Sequence, residues 1–318
     1  MRDAIEAFRG TILAALGHAP EAIEPGRLHR FATSNRRSDD AGWCKLFDDM
    51  RGGVFGCHRQ GVSETWSAID RAKMTRTQRA KLARQLMAAT AEREAQQRQQ
   101  WAKNAQRIAR MWAQCVPLMP RDPVTLYLKR RGFDDAASFP RVLRLHPALP
   151  YWNGADKLGT FPAMVAAIET PAGHVVALHR TYVTPDGRKA DVPVVKKLTG
   201  SAGTLAGACI QLRSPVRGVL GVAEGIETAL AASLASGVPT VAAYCANALA
   251  GFVWPAGVRR LMIFADNDSA GRKSASELQS RAVRLGLAVN VMTPTEEGAD
   301  WCDVWAHRGA VSIEGAAA

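Results

Sequence analysis

Asp266 and Asp268 stand two residues apart in LMIFADNDSAGRKSA, where an apolar run feeds into an acidic turn, a glycine and a helical pattern. Residues at i and i+2 on a strand share a face, so carboxylates at this spacing can hold one hard divalent cation at a strand's carboxyl end. Phosphate chemistry is the natural use of such a site. Upstream, LGVAEGIETALAA has the same form with one carboxylate: a strand from Val219 to Ala223, then Glu224, Gly225 and a helix. A third acidic cluster, Asp300-Trp301-Cys302-Asp303, follows. An Asp-x-Asp after a strand is in many proteins only a surface turn or a helix N-cap. Here acids recur in order at strand-to-helix junctions, and acids crowded at one sheet edge repel one another unless cations compensate.

The elements that must position these groups follow from periodicity. Strands are expected over 219–223, 240–243, 260–265 and 288–292, and helices over 226–235, 246–252 and 270–286. Such alternation predicts a parallel sheet with helices on both faces, whose ligands gather outside the carboxyl ends of the strands. Glu224 and Asp266 occupy those ends. Before this region, Asp122-Pro123 begins a short helix, VTLYLKRRG, with Asp122 as N-cap, Pro123 in the first turn and Gly132 as the stop. From Thr75 to Cys115 one long helix, or two in line, runs without proline or glycine. Trp101, Ala105, Ile108 and Trp112 form its apolar stripe.

A chain of 318 residues is too long for one ordinary core. It reads as an N-terminal helix plus small β module (1–70), a basic helical linker (71–117), a basic α+β subdomain (118–215), a C-terminal catalytic domain (216–306) and a loose tail (307–318). Net charge is +12 with pI near 9.8, and Arg71 to Arg110 supplies nine of the surplus charges, eleven Lys or Arg against Glu92 and Glu94. A polyanionic partner, nucleic acid, is the reading this favours over a merely solvated helix face. No apolar run reaches the roughly 18 residues that would span a bilayer. The start, MRDAIEAFRGTILAALG, differs from a secretory signal, and a cytoplasmic location is expected.

The six cysteines, Cys44, Cys57, Cys115, Cys209, Cys245 and Cys302, include no Cys-x-x-Cys pair, which argues against a disulfide framework. The segment from Leu28 to Trp66 offers His29, Cys44, Cys57 and His58, but structural zinc ligands come in close pairs. Only Cys57-His58 is close, and adjacent strand residues face opposite ways. No zinc is expected. The module reads as antiparallel strands with glycine turns at Gly42, Gly52-Gly53 and Gly61. Arg27, Arg30, Arg36, Arg37, Lys45, Arg51 and Arg59 are interleaved with Phe31, Trp43, Phe55 and Trp66, a mixture able to grip single-stranded template unless the rings form the module's core.

The order Glu224-Gly225, then Asp266-x-Asp268 with Gly271, resembles the Toprim domain shared by bacterial-type primases, topoisomerases and several nucleases. Asp300 to Asp303 resembles the acidic cluster that closes the domain in primases of phages, plasmids and integrated mobile elements. The likeness spans residues 216–306. It extends upstream through HPALPYWNGADKLGTFPAMVAAI and ALHRTYVTPDGRKADVPVVKKLTGSAG, resembling the segment in which a mixed sheet carries basic residues into the catalytic cleft, and the N-terminal module resembles a zinc ribbon that has lost its metal. The resemblance implies a DNA primase that joins ribonucleotides on single-stranded DNA. Glu224, Asp266 and Asp268, with Asp300 or Asp303, would hold one or two Mg²⁺ or Mn²⁺ ions. Arg180, Lys189, Lys196 and Lys197 would neutralise triphosphate or template phosphates. No Gly-x-x-x-x-Gly-Lys-Ser/Thr loop occurs, so a separate replicative helicase or initiator would deliver the template. A Toprim nuclease and a noncatalytic nucleic-acid-binding replication factor are the alternatives. A topoisomerase, needing a strand-passage body and an active tyrosine, is remote.

Overall fold

The computed structural model describes residues 2–34, 39–133 and 139–307. Arg36, Arg37 and the tail beyond His307 lie outside the described residues. The chain forms two compact units, 1–99 and 100–318.

In the first unit, helix α1 (Arg2–Leu16) precedes an antiparallel sheet of four strands in sequence order: β1 (His29–Phe31), β2 (Gly42–Leu46), β3 (Gly52–Cys57) and β4 (Val62–Ser67). Phe8, Ile12 and Leu16 of α1 pack on Phe31, Cys44, Leu46 and Phe55. The glycines depart from expectation. Gly61 does turn the β3–β4 hairpin, with φ +68, but Gly42, Gly52 and Gly53 lie within strands. The reason is space: a Cβ at Gly42 would stand 2.6 Å from the Phe31 ring, and one at Gly53 2.9 Å from Phe8. Phe31, Trp43 and Phe55 are buried, so these rings are core and none is open to stack a base. Cys44 and Cys57 are buried free thiols, and the Cys57 Sγ lies 3.3 Å from Thr33 Oγ1.

A single helix, α2 (Arg76–Ala113), covers the expected basic stretch. Its first half places Leu82, Leu86 and Ala89 against Phe47, Val54 and Met74 of the first unit, and Arg93 lies 4.4 Å over the Trp43 ring. Its last turns belong to the second unit. There the stripe is rotated from expectation: Ala105 is exposed, whereas Asn104, Ile108 and Cys115 are buried, because the Asn104 amide donates to the Ser201 carbonyl at 2.8 Å.

The second unit holds two sheets. Strands β5 (Val116–Pro117), β6 (Leu143–Asn153), β7 (Asp156–Glu169), β8 (Val175–Tyr182) and β9 (Lys196–Leu198) make a five-stranded sheet in sequence order. The expected mixed sheet is wholly antiparallel: short hairpins join β6 to β7 and β7 to β8, while β5 reaches β6 through a helix and β9 returns to β8 after a longer loop. Helix α3 (Pro123–Arg130) packs on it; Asp122 caps α3 by accepting from the Val124 and Thr125 amides.

The C-terminal sheet contains β10 (Val219–Ala223), β11 (Thr240–Ala242), β12 (Arg260–Phe264) and β13 (Ala288–Met292), all parallel, in the order β11-β10-β12-β13. Its connections carry α4 (Ile226–Ser236), α5 (Ala246–Ala250) and α6 (Ser269–Arg284), and α7 (Trp301–Ala306) follows β13. Near-continuous apolar runs in β10 and β12 fit strands covered on both faces. One core joins the two sheets of this unit: Tyr127, Leu128, Met164 and Ile168 pack with Ile226, Ala229 and Leu230 of α4. Among the described residues no helix is long and apolar enough to cross a membrane.

Candidate active site

Adjacent parallel strands β10 and β12 are in register with Ala223 opposite Phe264. Glu224 follows β10 directly and Asp266 comes two residues after β12, so both leave the carboxyl edge of neighbouring strands, near enough for Glu224 to act on the Asp266 carboxyl. Gly271 closes the turn after β12. A Cβ there would meet the Asp266 carbonyl oxygen at 2.5 Å, so only glycine lets the first turn of α6 press against the backbone of Asp266.

The acids influence one another strongly. Burial first, then Asp300, Glu224 and Asp268, push the Asp266 carboxyl up to about 7, with Lys196 opposing. Burial and Asp268 also raise Glu224, while Lys196 and the Ala246 amide oppose. Asp266 Oδ1 is buried and finds no hydrogen-bond partner. The other acids are committed locally. Asp268 Oδ1 accepts from the Gly271 amide at 2.7 Å, capping α6. Asp300 and Asp303 form a capping box on α7, each accepting from the other's amide. Among the described residues, no group of three or more His, Cys, Asp or Glu side chains is placed to hold a metal ion. An orphaned carboxylate oxygen in a field of like charge is what a divalent cation would relieve, and Asp266 and Glu224 are the residues that could serve as its donors, with Asp268 and Asp300 acting on the same carboxyl.

The four cations expected here are divided by the pleat of the sheet. Lys196 pairs in register with Thr181, and Lys197 with Arg180, so the neighbours on β9 face opposite sides. Lys196 stands beside the carboxylates and is the cation that acts on Glu224 and Asp266. Lys197 Nζ donates to the Trp152 carbonyl at 2.6 Å and lies 4.6 Å over the Tyr151 ring. The Arg180 guanidinium donates to the Leu198 carbonyl at 2.6 Å. Lys189 is exposed where Val183 and Lys189 bridge. On the Arg180 side a groove of about 560 Å³ is lined by Asn104, Arg107, Met111, Trp152, Arg180 and Leu198, with Trp152 50% exposed.

Sequence reasoning missed Glu227. It lies one helical turn after Glu224 in the first turn of α4, with its side chain 3% exposed. The Tyr127 hydroxyl donates to its Oε1 at 2.6 Å and Lys196 Nζ to its Oε2 at 2.9 Å. Burial raises this carboxyl, but the Lys196 ammonium and the Tyr127 hydroxyl outweigh it and hold the group at about 2. An acid in a first helical turn reads as a macrodipole partner, and the only sequence signal of more was its i, i+3 spacing from Glu224. Two further residues shape the edge. Asn267 donates from Nδ2 to the Pro294 and Glu296 carbonyls, tying down the loop that leads to Asp300. Tyr244, at φ +66, turns the chain after β11 in the left-handed region, and its amide donates to the Glu224 carbonyl oxygen at 2.8 Å.

Residues 219–311 match the family model of the Toprim domain. The C-terminal region is similar to the Toprim domain. Residues 102–209 match a domain of unknown function, DUF7146, so the antiparallel sheet that brings Lys196 to the Toprim acids lies within that match. Among solved structures, the chain is similar to the RNA polymerase domain of Mycobacterium tuberculosis primase DnaG, at 19% identity, covering 67% of this chain and 79% of that one, with TM-score 0.39. It is similar to the zinc-binding and RNA polymerase domains of Aquifex aeolicus primase at 14% identity, 94% and 81% coverage, TM-score 0.38. It is also similar to the primase fragment of the bacteriophage T7 primase-helicase at 18% identity, 58% and 66% coverage, TM-score 0.36. No curated protein matches the chain.

Proposed function

We propose that this protein is a DNA primase, joining ribonucleotides on single-stranded DNA by metal-dependent nucleotidyl transfer. The observation that carries the reading is the edge of the Toprim sheet, where Glu224 and Asp266 meet a lysine, Lys196, delivered by the preceding sheet. Acids facing a fixed cation suit a polyphosphate held between metal and ammonium.

In this reading Asp266 and Glu224, assisted by Asp268 and Asp300, would hold Mg²⁺ or Mn²⁺. When bound, the metal would neutralise charge on the triphosphate and acidify the attacking 3′-hydroxyl. Lys196 would bind and orient the triphosphate. Arg180, Lys197 and the exposed Trp152 ring would hold single-stranded template, phosphates on the cations and a base on the indole. Lys189 would contribute only to the general positive field. A separate replicative helicase or initiator would supply unwound template.

Primer synthesis on single-stranded DNA with labelled ribonucleotides and Mg²⁺ or Mn²⁺ tests the proposal. Short products are expected from the native chain and none from Asp266→Ala or Glu224→Ala. Template degradation without synthesis would identify a Toprim nuclease instead. Activity that survives both substitutions would remove the acids from the chemistry altogether.

A further inference from the structure

The geometry points to Glu227 as a positioning residue that holds the Lys196 ammonium at a set place beside the metal-binding acids, so that the lysine meets the triphosphate instead of occupying the cation's own site. This rests on the proposed function, in that Glu224 and Asp266 are taken as metal donors.

Three elements meet at one carboxylate. Glu227 comes from the first turn of α4 in the Toprim domain, Tyr127 from α3, and Lys196 from β9. Both Glu227 oxygens are used, Oε1 by the Tyr127 hydroxyl at 2.6 Å and Oε2 by Lys196 Nζ at 2.9 Å. The two partners of the pair are unequally sheltered, for the Glu227 side chain is 3% exposed and that of Lys196 is 42% exposed. The carboxylate is thus the fixed anchor, and the lysine presents its open side to the site. Lys196 also acts on Glu224 and Asp266, the latter carrying the partnerless Oδ1. An ammonium on a flexible four-carbon stem, released from its anchor, would be drawn to that oxygen and compete with a divalent ion. Glu227 touches neither reacting atoms nor metal in this scheme. It acts through Lys196.

The expected signature is a sign pattern in metal affinity. Mn²⁺ binding to the full chain, followed by electron paramagnetic resonance without nucleotide, should weaken about 5- to 10-fold in Glu227→Gln, the effect of one nearby cation on a carboxylate site. It should tighten in Lys196→Met, and the double variant should match Lys196→Met. Steady-state primer synthesis would add a second readout: the triphosphate KM should rise in both single variants and rise no further in the double. Unchanged Mn²⁺ affinity in Glu227→Gln, or an equal weakening with and without Lys196, would overturn the inference while leaving the metal site standing. A native chain that binds no Mn²⁺ would instead overturn the metal reading and this inference with it. Should Glu227→Gln fail to fold by circular dichroism, Glu227→Asp, which shortens the anchor and keeps its charge, takes its place: weaker Mn²⁺ binding that disappears in the Lys196→Met background supports the anchor, and unchanged affinity refutes it.

Discussion

Replacing Asp266 with asparagine should stabilise the metal-free protein, and more so as pH rises. Its carboxyl is raised from 3.8 to about 7 by burial, Asp300, Glu224 and Asp268. Between those values the unfolded chain has released a proton that the folded chain keeps, so each step up in pH favours unfolding. The penalty vanishes below 3.8 and is complete above about 7, where 1.36 kcal/mol per pH unit over the shift amounts to about 4 kcal/mol. At pH 5 the same arithmetic leaves about 1.6 kcal/mol. Asp266→Asn has no such charge, so its advantage over the native chain should widen by roughly 2–3 kcal/mol from pH 5 to pH 8. The measurement is urea unfolding in chelator at pH 5, 6, 7 and 8, read by amide exchange in β12 so that the second unit is followed separately. Mg²⁺ at a hundredfold excess over Kd should narrow the gap at pH 8 by about 2.7 kcal/mol without reversing it, because only the native chain gains binding energy. A gap that stays flat with pH, or a variant less stable at pH 8, would refute the buried like-charge cluster.

Gly271→Ala places a Cβ 2.5 Å from the Asp266 carbonyl oxygen. It should cost about 1–3 kcal/mol, with Mn²⁺ binding weakened because the α6 turn must back away from the metal-donor strand end; thermal unfolding and metal titration check both. Trp152→Ala should weaken single-stranded DNA binding by about 1–3 kcal/mol, measured by fluorescence anisotropy, while Mn²⁺ affinity stays native, since the indole lies on the side of the sheet away from Lys196. Arg180→Ala in the same titration should reduce the slope of log affinity against log salt by about 0.7, one single-strand phosphate contact.

The strands and helices of the C-terminal sheet were legible because apolar strand runs alternate with helical periods, and the junctions after β10 and β12 repeat an acid and a glycine. Helix α7 was not, because six residues give too little period and its cap, Asp300, has the same chemistry as a ligand. The division of cations was equally hidden. Lys196 and Lys197 are adjacent letters, and only the register Thr181↔Lys196 and Arg180↔Lys197 shows which faces the acids. Gly42, Gly52 and Gly53 read as turns because glycine is the residue of left-handed backbone. Their true cause, the rings of Phe31, Phe47 and Phe8 pressed against the strands, comes from distant sequence. Glu227 was lost for the same reason: its partners Tyr127 and Lys196 lie 100 and 31 positions away respectively.

Strand β9 is three residues long and sits at the border of its sheet, yet it carries an ammonium on either side. Any displacement of so short a rod moves both charges together. A pull on Lys197 would thereby be passed, with no hinge needed, to the lysine that pairs with Glu227. Deleting a single residue within it would exchange the two duties outright.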